Sequence, residues 1–260
     1  MTDALSKTYA LSKNAKGGWV KRLVYKIEKK LILRYEQSVV KVFPKVVLVS
    51  QSDIDYISSQ SKTKITSLSL HTNGVNCITK PNASYDANKI CFLGNMRTLQ
   101  NQDAVLHFVN DIFPLILKDI PDAVFHIIGA EPPRSIINLA NNKNIVVTGF
   151  VEDLETALSD TCISVAPVQV AAGIQNKVLV AMANGLPVIM SSLISNAIPE
   201  LRDGENCIIQ DNNELFAKDC VRVMRDKEYR LQLAKAGYEM VNNHFSWNEK
   251  LKGYELIKYN

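Results

Sequence analysis

The sequence predicts an α/β protein built on a parallel sheet, and three observations carry that expectation. From Asn73-Gly74 onward, short apolar runs of strand length alternate with helical patterns, the rhythm of strand–helix–strand units joined by right-handed crossovers and covered on both faces. Two of the strand-to-helix turns, at Gly94 and Gly173, carry glycine. The composition, 47% hydrophobic and 22% charged over 260 residues, is that of a folded protein large enough for one domain plus part of another.

Taken in order, residues 1–18 are polar, with Lys13, Asn14, Lys16, Gly17 and Gly18 reading as a loop. A helix follows from Trp19 to about Val42. Val20, Leu23, Val24, Ile27, Leu31 and Val39 form one apolar stripe on it, with lysines and arginines on the other face. Pro44 ends that helix, Val46–Ser50 has strand length, and a brief helix starts near Asp53. Residues 59–66 read as a linker. The strands of the main sheet are predicted at Ile90–Leu93, Ala123–Ile128, Ile145–Thr148, Cys162–Ala166 and Pro187–Met190. Helices are predicted between them near 102–118, 133–141, 153–159 and 176–184, then at 212–224 and 226–241. In such sheets ligands bind at the carboxyl ends of the strands.

Charge and cysteine usage narrow the function classes. The net charge of +4 is uneven: residues 1–45 hold eleven Lys or Arg against three Asp or Glu, which leaves 19 basic and 23 acidic side chains for the rest. The basic character therefore belongs to the N-terminal segment; nucleic-acid binding would have to rest on helix 19–42, which has few exposed aromatics, and nucleic acid is not an expected partner. Five scattered cysteines without a C-x-x-C pair fit a reducing compartment, and Cys91 and Cys162, inside apolar runs, read as buried structural thiols. No segment reaches the ~18 apolar residues of a membrane span, and Met1-Thr2-Asp3 opens no signal peptide. The four histidines are far apart and show no metal-ligand spacing.

Two turns have the chemistry to hold a phosphorylated ligand. Gly94, in Phe92-Leu93-Gly94-Asn95-Met96, removes a Cβ from the mouth of a strand; a plain turn explains it equally well. Gly173 stands just before a helix whose first turn offers free N–H groups, with Lys177 one turn in, which makes a seat for a diphosphate. An ordinary buried helix with a cap is the competing reading. Gly185 and Pro187 stop that helix and start the next strand.

The run Gly173-Ile174-Gln175-Asn176-Lys177-Val178-Leu179, followed by Ala181-Met182-Ala183 and Leu186-Pro187-Val188-Ile189, resembles the signature helix of the group 1 (family 4) glycosyltransferases. More narrowly it is similar to the sugar transferases of exopolysaccharide and PEP-CTERM gene clusters. VLVSQSD (47–53), Asn73-Gly74-Val75, FLGNMRTLQNQDAV (92–105), IFPLIL (112–117), HIIGAEPP (126–133), VTGFVED (147–153), SVAP (164–167) and HFSW (244–247) extend the resemblance along nearly the whole chain.

The resemblance implies a GT-B architecture of two Rossmann-like domains, the C-terminal one binding a nucleotide sugar of the UDP or GDP type as substrate, with no separate cofactor and no metal. Gly94 and Asn95 would lie near the diphosphate and transferred sugar, and Gly149, Phe150 and Val151 would flank the base. Gly173, Ile174, Gln175, Asn176 and Lys177 would hold the diphosphate. The implied activity is retaining transfer to a glycan or lipid-linked acceptor in polysaccharide biosynthesis. The implied location is the cytoplasm or the inner face of the membrane.

The chain departs from the family in two places. Only a remnant of the acceptor-side domain is expected, in residues 1–66, before a nucleotide-sugar domain at 67–243 and a tail helix at 244–260 folding back toward the N-terminal part. The strands that should pair with Val46–Ser50 are expected to be missing, and the stripe of helix 19–42 is expected to need cover from the main domain, a partner chain or a membrane surface. The family's Glu-x7-Glu positions are Ala172 and Val180 here. The second glutamate would accept hydrogen bonds from the donor ribose, and losing it costs roughly 1.5–3 kcal/mol of binding. A catalytically degenerate scaffold, or one half of a split transferase, is the alternative function.

Overall fold

The computed structural model describes residues 4–7, 19–61, 65–78, 86, 88–170 and 174–255, without the side chains of 19–22 and 253–255. The chain divides into two compact units, one formed by residues 1–73 with 172–174, the other by 74–171 with 175–260. Gly173 and Ala172 lie outside the described residues.

In the first unit, helix α1 (Trp19–Val42) precedes strand β1 (Val46–Leu48), helix α2 (Gln51–Ser59) and strand β2 (Leu68–Leu70). β1 and β2 pair in parallel, Val46 opposite Leu68. This corrects the expectation that β1 has no partner strand in the chain: three residues of Leu-Ser-Leu are too short to read as a strand by pattern. A small core joins Ala4, Val40, Val46, Leu48 and Ile57.

Residues 5–7, in the polar N-terminal stretch, form a helical turn tied into this unit, and the loop expected at 13–18 lies outside the described residues. Ser6 is buried and gives its N–H and hydroxyl to the buried Glu36 carboxylate (3.1 and 2.5 Å), and the Ala4 N–H and the Lys7 ammonium reach Asp53 (3.2 and 2.8 Å). Within this unit only the Val39 end of the apolar stripe of α1 is packed. Leu23, Val24, Ile27 and Leu31 are each about half exposed, while Glu36, Val39 and Val40 turn inward. A buried carboxylate is tolerated there because both of its oxygens are hydrogen-bonded.

The second unit holds a six-stranded parallel sheet in the order β5-β4-β3-β6-β7-β8. Its strands are β3 (Lys89–Leu93), β4 (Val124–Ile128), β5 (Ile145–Gly149), β6 (Ile163–Ala166), β7 (Val188–Met190) and β8 (Ile208–Ile209). The helices are α3 (Leu99–His107), continued through a π-helical turn (Phe108–Ile112) into α4 (Phe113–Asp119), then α5 (Arg134–Ile137) and α6 (Leu154–Leu158). They are followed by α7 (Asn176–Ala183), α8 (Ser192–Ser195), α9 (Asn213–Arg225), α10 (Lys227–Phe245) and α11 (Trp247–Glu255). The predicted parallel α/β sheet is therefore present, with β8 added. The helix expected at 102–118 starts at Leu99 and contains the π-helical turn.

The chain leaves β3 toward β4 and leaves β6 toward β7, in opposite directions along the sheet, so right-handed crossovers put α3–α4 and α7 on opposite faces. Aromatic packing secures the first face: the Phe108 ring lies 4.5 Å from Phe125 and 6.4 Å from Phe216 of α9. On the second face α10 closes on α7 at Gly237, where a Cβ would stand 3.4 Å from Met182. The buried Arg230 joins the two outer helices by giving Nη1–H bonds to the carbonyls of Val223 and Met224 (3.0 and 2.8 Å) at the end of α9. Gly185, at φ +72°, lets α7 end and turn into β7. After α10 the chain bridges Ser246 to Val75, with the Val75 N–H on the Phe245 carbonyl at 2.8 Å. Cys91, Cys162, Cys207 and Cys220 are buried free thiols, and burial pushes Cys91 up to about 12.

Candidate functional site

The switch in chain direction between β3 and β6 opens a crevice at the carboxyl ends of the strands, where open α/β sheets bind their ligands. A cavity of about 310 Å³ lies there. Its floor comes from Leu93, Gly94 and Asn95 after β3 and from Ile128 and Gly129 after β4; Phe150, Val151 and Leu154 follow β5 on one side, and Asn176, Lys177 and Val180 of α7 form the other wall.

The floor exists because two glycines touch. A Cβ on Gly129 would fall 1.7 Å from the Gly94 carbonyl oxygen, so no side chain fits. The Gly94 N–H bonds the Ile128 carbonyl (3.0 Å) and the Gly129 N–H bonds the Gly149 carbonyl (3.0 Å), which ties the ends of three strands into one shelf. Asn101 and Gln102 fasten the turn after β3 from below, their amides donating to the carbonyls of Asn95 (2.8 Å) and Met96 (2.7 Å).

Lys177 is the charge of the site. Its ammonium donates to the Asn101 side-chain oxygen and stands 4.8 Å from the centroid of the Phe92 ring. Burial without a neighbouring carboxylate pulls its pKa down from 10.5 to about 8. Beside it α7 begins at Asn176 with no side-chain capping bond from Gln175, so the first-turn N–H groups and the positive end of the helix add to the field. The cavity thus joins one desolvated cation and a helix start to walls that are otherwise apolar apart from Asn95 and Asn176, an arrangement suited to an anion carrying a flat or apolar body.

Of the residues singled out by sequence, Gly94, Asn95, Phe150, Val151, Asn176, Lys177 and Val180 come together on this cavity. Gly149 ends β5 at its rim, while Gln175 is buried and Ile174 half-buried ahead of α7. Gly129, Asn101 and Leu154 were missed. Gly129 closes a strand as Gly94 does, and that parallel was the available signal; nothing in the local pattern marks Asn101.

A second cavity of about 390 Å³ opens beyond β6, β7 and β8, lined by Ser191, Gln210 and Asp211 among others. Its one basic side chain, His107, pairs with Asp111 (2.9 Å), and Asp211 accepts the Ser192 N–H (2.9 Å). Already paired and holding a carboxylate, it is the poorer anion site. Among the described residues no cluster of His, Cys, Asp and Glu could hold a metal ion, and no helix is long and apolar enough to cross a membrane.

The family model described as "Glycosyl transferases group 1" matches residues 87–226, more than half of the chain and all of the cavity lining. The chain belongs to that family. A Klebsiella pneumoniae protein, an uncharacterized 44.6 kDa protein in the cps region, is 23% identical over 164 residues, covering 60% of this chain and 42% of its own length. Among solved structures, sucrose-phosphate synthase from Thermosynechococcus elongatus superposes with a TM-score of 0.72 at 18% identity, over 98% of this chain and 65% of that one. A variant of TarM from S. aureus, crystallised with fondaparinux, α-GlcNAc-glycerol and UDP, gives 0.70 at 16% identity, over 86% and 46%. At these identities the likeness is one of fold, the Rossmann-like α/β fold of GT-B glycosyltransferases. The chain spans less than half the length of the Klebsiella and TarM proteins.

Proposed function

We propose that this group 1 glycosyltransferase chain binds a nucleoside-diphosphate sugar in the 310 Å³ cavity, for transfer to a glycan or lipid-linked acceptor in polysaccharide biosynthesis. The observation that carries the reading is Lys177: a largely desolvated ammonium, with no carboxylate partner among the described residues, at a helix start on the cavity wall. The diphosphate would sit against Lys177 and Asn176, the sugar near Gly94 and Asn95, and the nucleoside along Phe150 and Val151. Transfer breaks the bond between the anomeric carbon and the phosphate oxygen. The leaving diphosphate gains charge, and a desolvated cation fixed in place stabilises it more than water does.

The pH dependence supplies the test. Diphosphate binding needs Lys177 protonated and the terminal phosphate, whose second pKa is about 6, ionised, so affinity for UDP or GDP in calorimetric titrations is highest near pH 7. It then falls as pH rises through about 8, approaching tenfold per unit beyond it. Folding responds in the opposite sense. The pKa of Lys177 is lower folded than unfolded, so the cost of burying its charge is present at neutral pH and relieved as pH rises from about 8 toward 10.5. Lys177→Met weakens nucleotide binding by about a hundredfold and removes the break near pH 8. Unchanged affinity in that variant would overturn the reading.

Val180 favours a second reading, a scaffold that keeps the fold without transfer; a donor site that binds but shows no sugar release with any acceptor would support it. The half-exposed stripe of α1, bordered by Lys26, Lys30 and Arg34, supports a partner chain or an anionic membrane surface as its cover. Co-sedimentation with anionic vesicles separates those two.

A further inference from the structure

We infer that the nucleoside accepted by this cavity is a 2′-deoxyribonucleoside, the thymidine diphosphate type being its common form, in place of the ribose-based UDP or GDP type. The inference rests on the donor reading and narrows it.

Sheet order gives the cavity two unlike ends. β3 lies inside the sheet and β5 at its edge, so the Asn95 and Lys177 end is interior, and the Phe150, Val151 and Leu154 end faces the sheet margin. A nucleotide anchored by its phosphates at Lys177 and filling the cavity lays its pentose between the facing walls, Val151 and Leu154 on one side and Val180 on the other. Val180 lies four residues, about 6 Å, from Asn176 along the same wall, within the reach of a pentose from its phosphate.

The pentose therefore meets Val180, Leu154 and Val151, none of which offers a side-chain hydrogen bond. The nearby acidic residues do not substitute. Asp153, held on Thr156 by its carboxylate (3.0 Å to its N–H, 2.5 Å to its hydroxyl), and the exposed Glu152 both lie off the cavity lining. A ribose brings two hydroxyls to this wall, whereas a deoxyribose presents C–H at one of those positions. A site built to bond a hydroxyl rejects the analogue lacking it strongly; an apolar wall rejects the analogue carrying one only modestly. The preference for deoxyribose is therefore about tenfold, the cost of burying one hydroxyl without a partner.

The test is calorimetric titration of the full chain with UDP and 2′-deoxy-UDP, which differ by that hydroxyl alone. The expected result is about tenfold tighter binding of 2′-deoxy-UDP. Val180→Thr, close in volume, narrows the ratio below about threefold, and Val180→Glu reverses it in favour of UDP. UDP binding as tightly as its deoxy analogue, or more tightly, in the unaltered chain overturns the inference and leaves the donor reading standing. Absence of binding by both overturns the donor reading, and the inference falls with it.

Discussion

The two units of this chain hold together by different means. From Gly74 onward a six-stranded sheet is covered on both faces, and Phe92, Phe108, Phe125 and Ile127 are wholly buried. In the first unit two three-residue strands share a core of five small or medium side chains. Much of the rest is polar, with the Glu36 and Asp53 carboxylates drawing in residues 4–7. A two-stranded sheet has little stability of its own, and half-exposed leucines on α1 add nothing to it. The difference teaches why the cavity belongs to the larger unit. A shelf on which two loops touch without a side chain between them needs strands that cannot shift.

The largest expected effect breaks that shelf. Gly129→Ala puts a methyl group onto the Gly94 carbonyl and costs about 3 kcal/mol or more, read as a lower midpoint in urea unfolding of the larger unit. A shift worth less than about 0.5 kcal/mol would show that the loops are free to part. Next is Leu48→Ala in the smaller unit, a deletion of about 2–3 kcal/mol. Amide exchange should quicken at Val46–Leu48 while Ile90–Leu93 stay protected; equal loss in both would mean that the units unfold as one. The smallest is Leu31→Gln on the stripe of α1, which should change stability by no more than about 0.5 kcal/mol. A larger loss would reveal a packed partner for that face.

The main sheet was legible in the sequence because each strand is apolar and each intervening helix is periodic; Ile90–Leu93 and Cys162–Ala166 could be read directly. The two-residue β8 and the three-residue β2 were not, since their existence depends on pairing with Ile189 and Val46 rather than on any pattern of their own. Helical periodicity found the apolar stripe of α1 but could not say which face is covered. The covered face includes Glu36, buried by a partner thirty positions away. In the cavity, Lys177 and Asn95 were visible as residues of two turns. Asn101, which joins them through one side chain, reads as any polar position on a helix.

Arg230 makes the outer helices of the larger unit mechanically continuous. Its guanidinium closes the open end of α9 from within α10, and α10 in turn rests on Met182 through the bare backbone of Gly237. A force on α7 is thus passed through α10 to the end of α9, whose other side packs on the opposite face of the sheet. The helix that presents Lys177 is stiff from behind, so whatever yields when the cavity fills must be the turns in front of it.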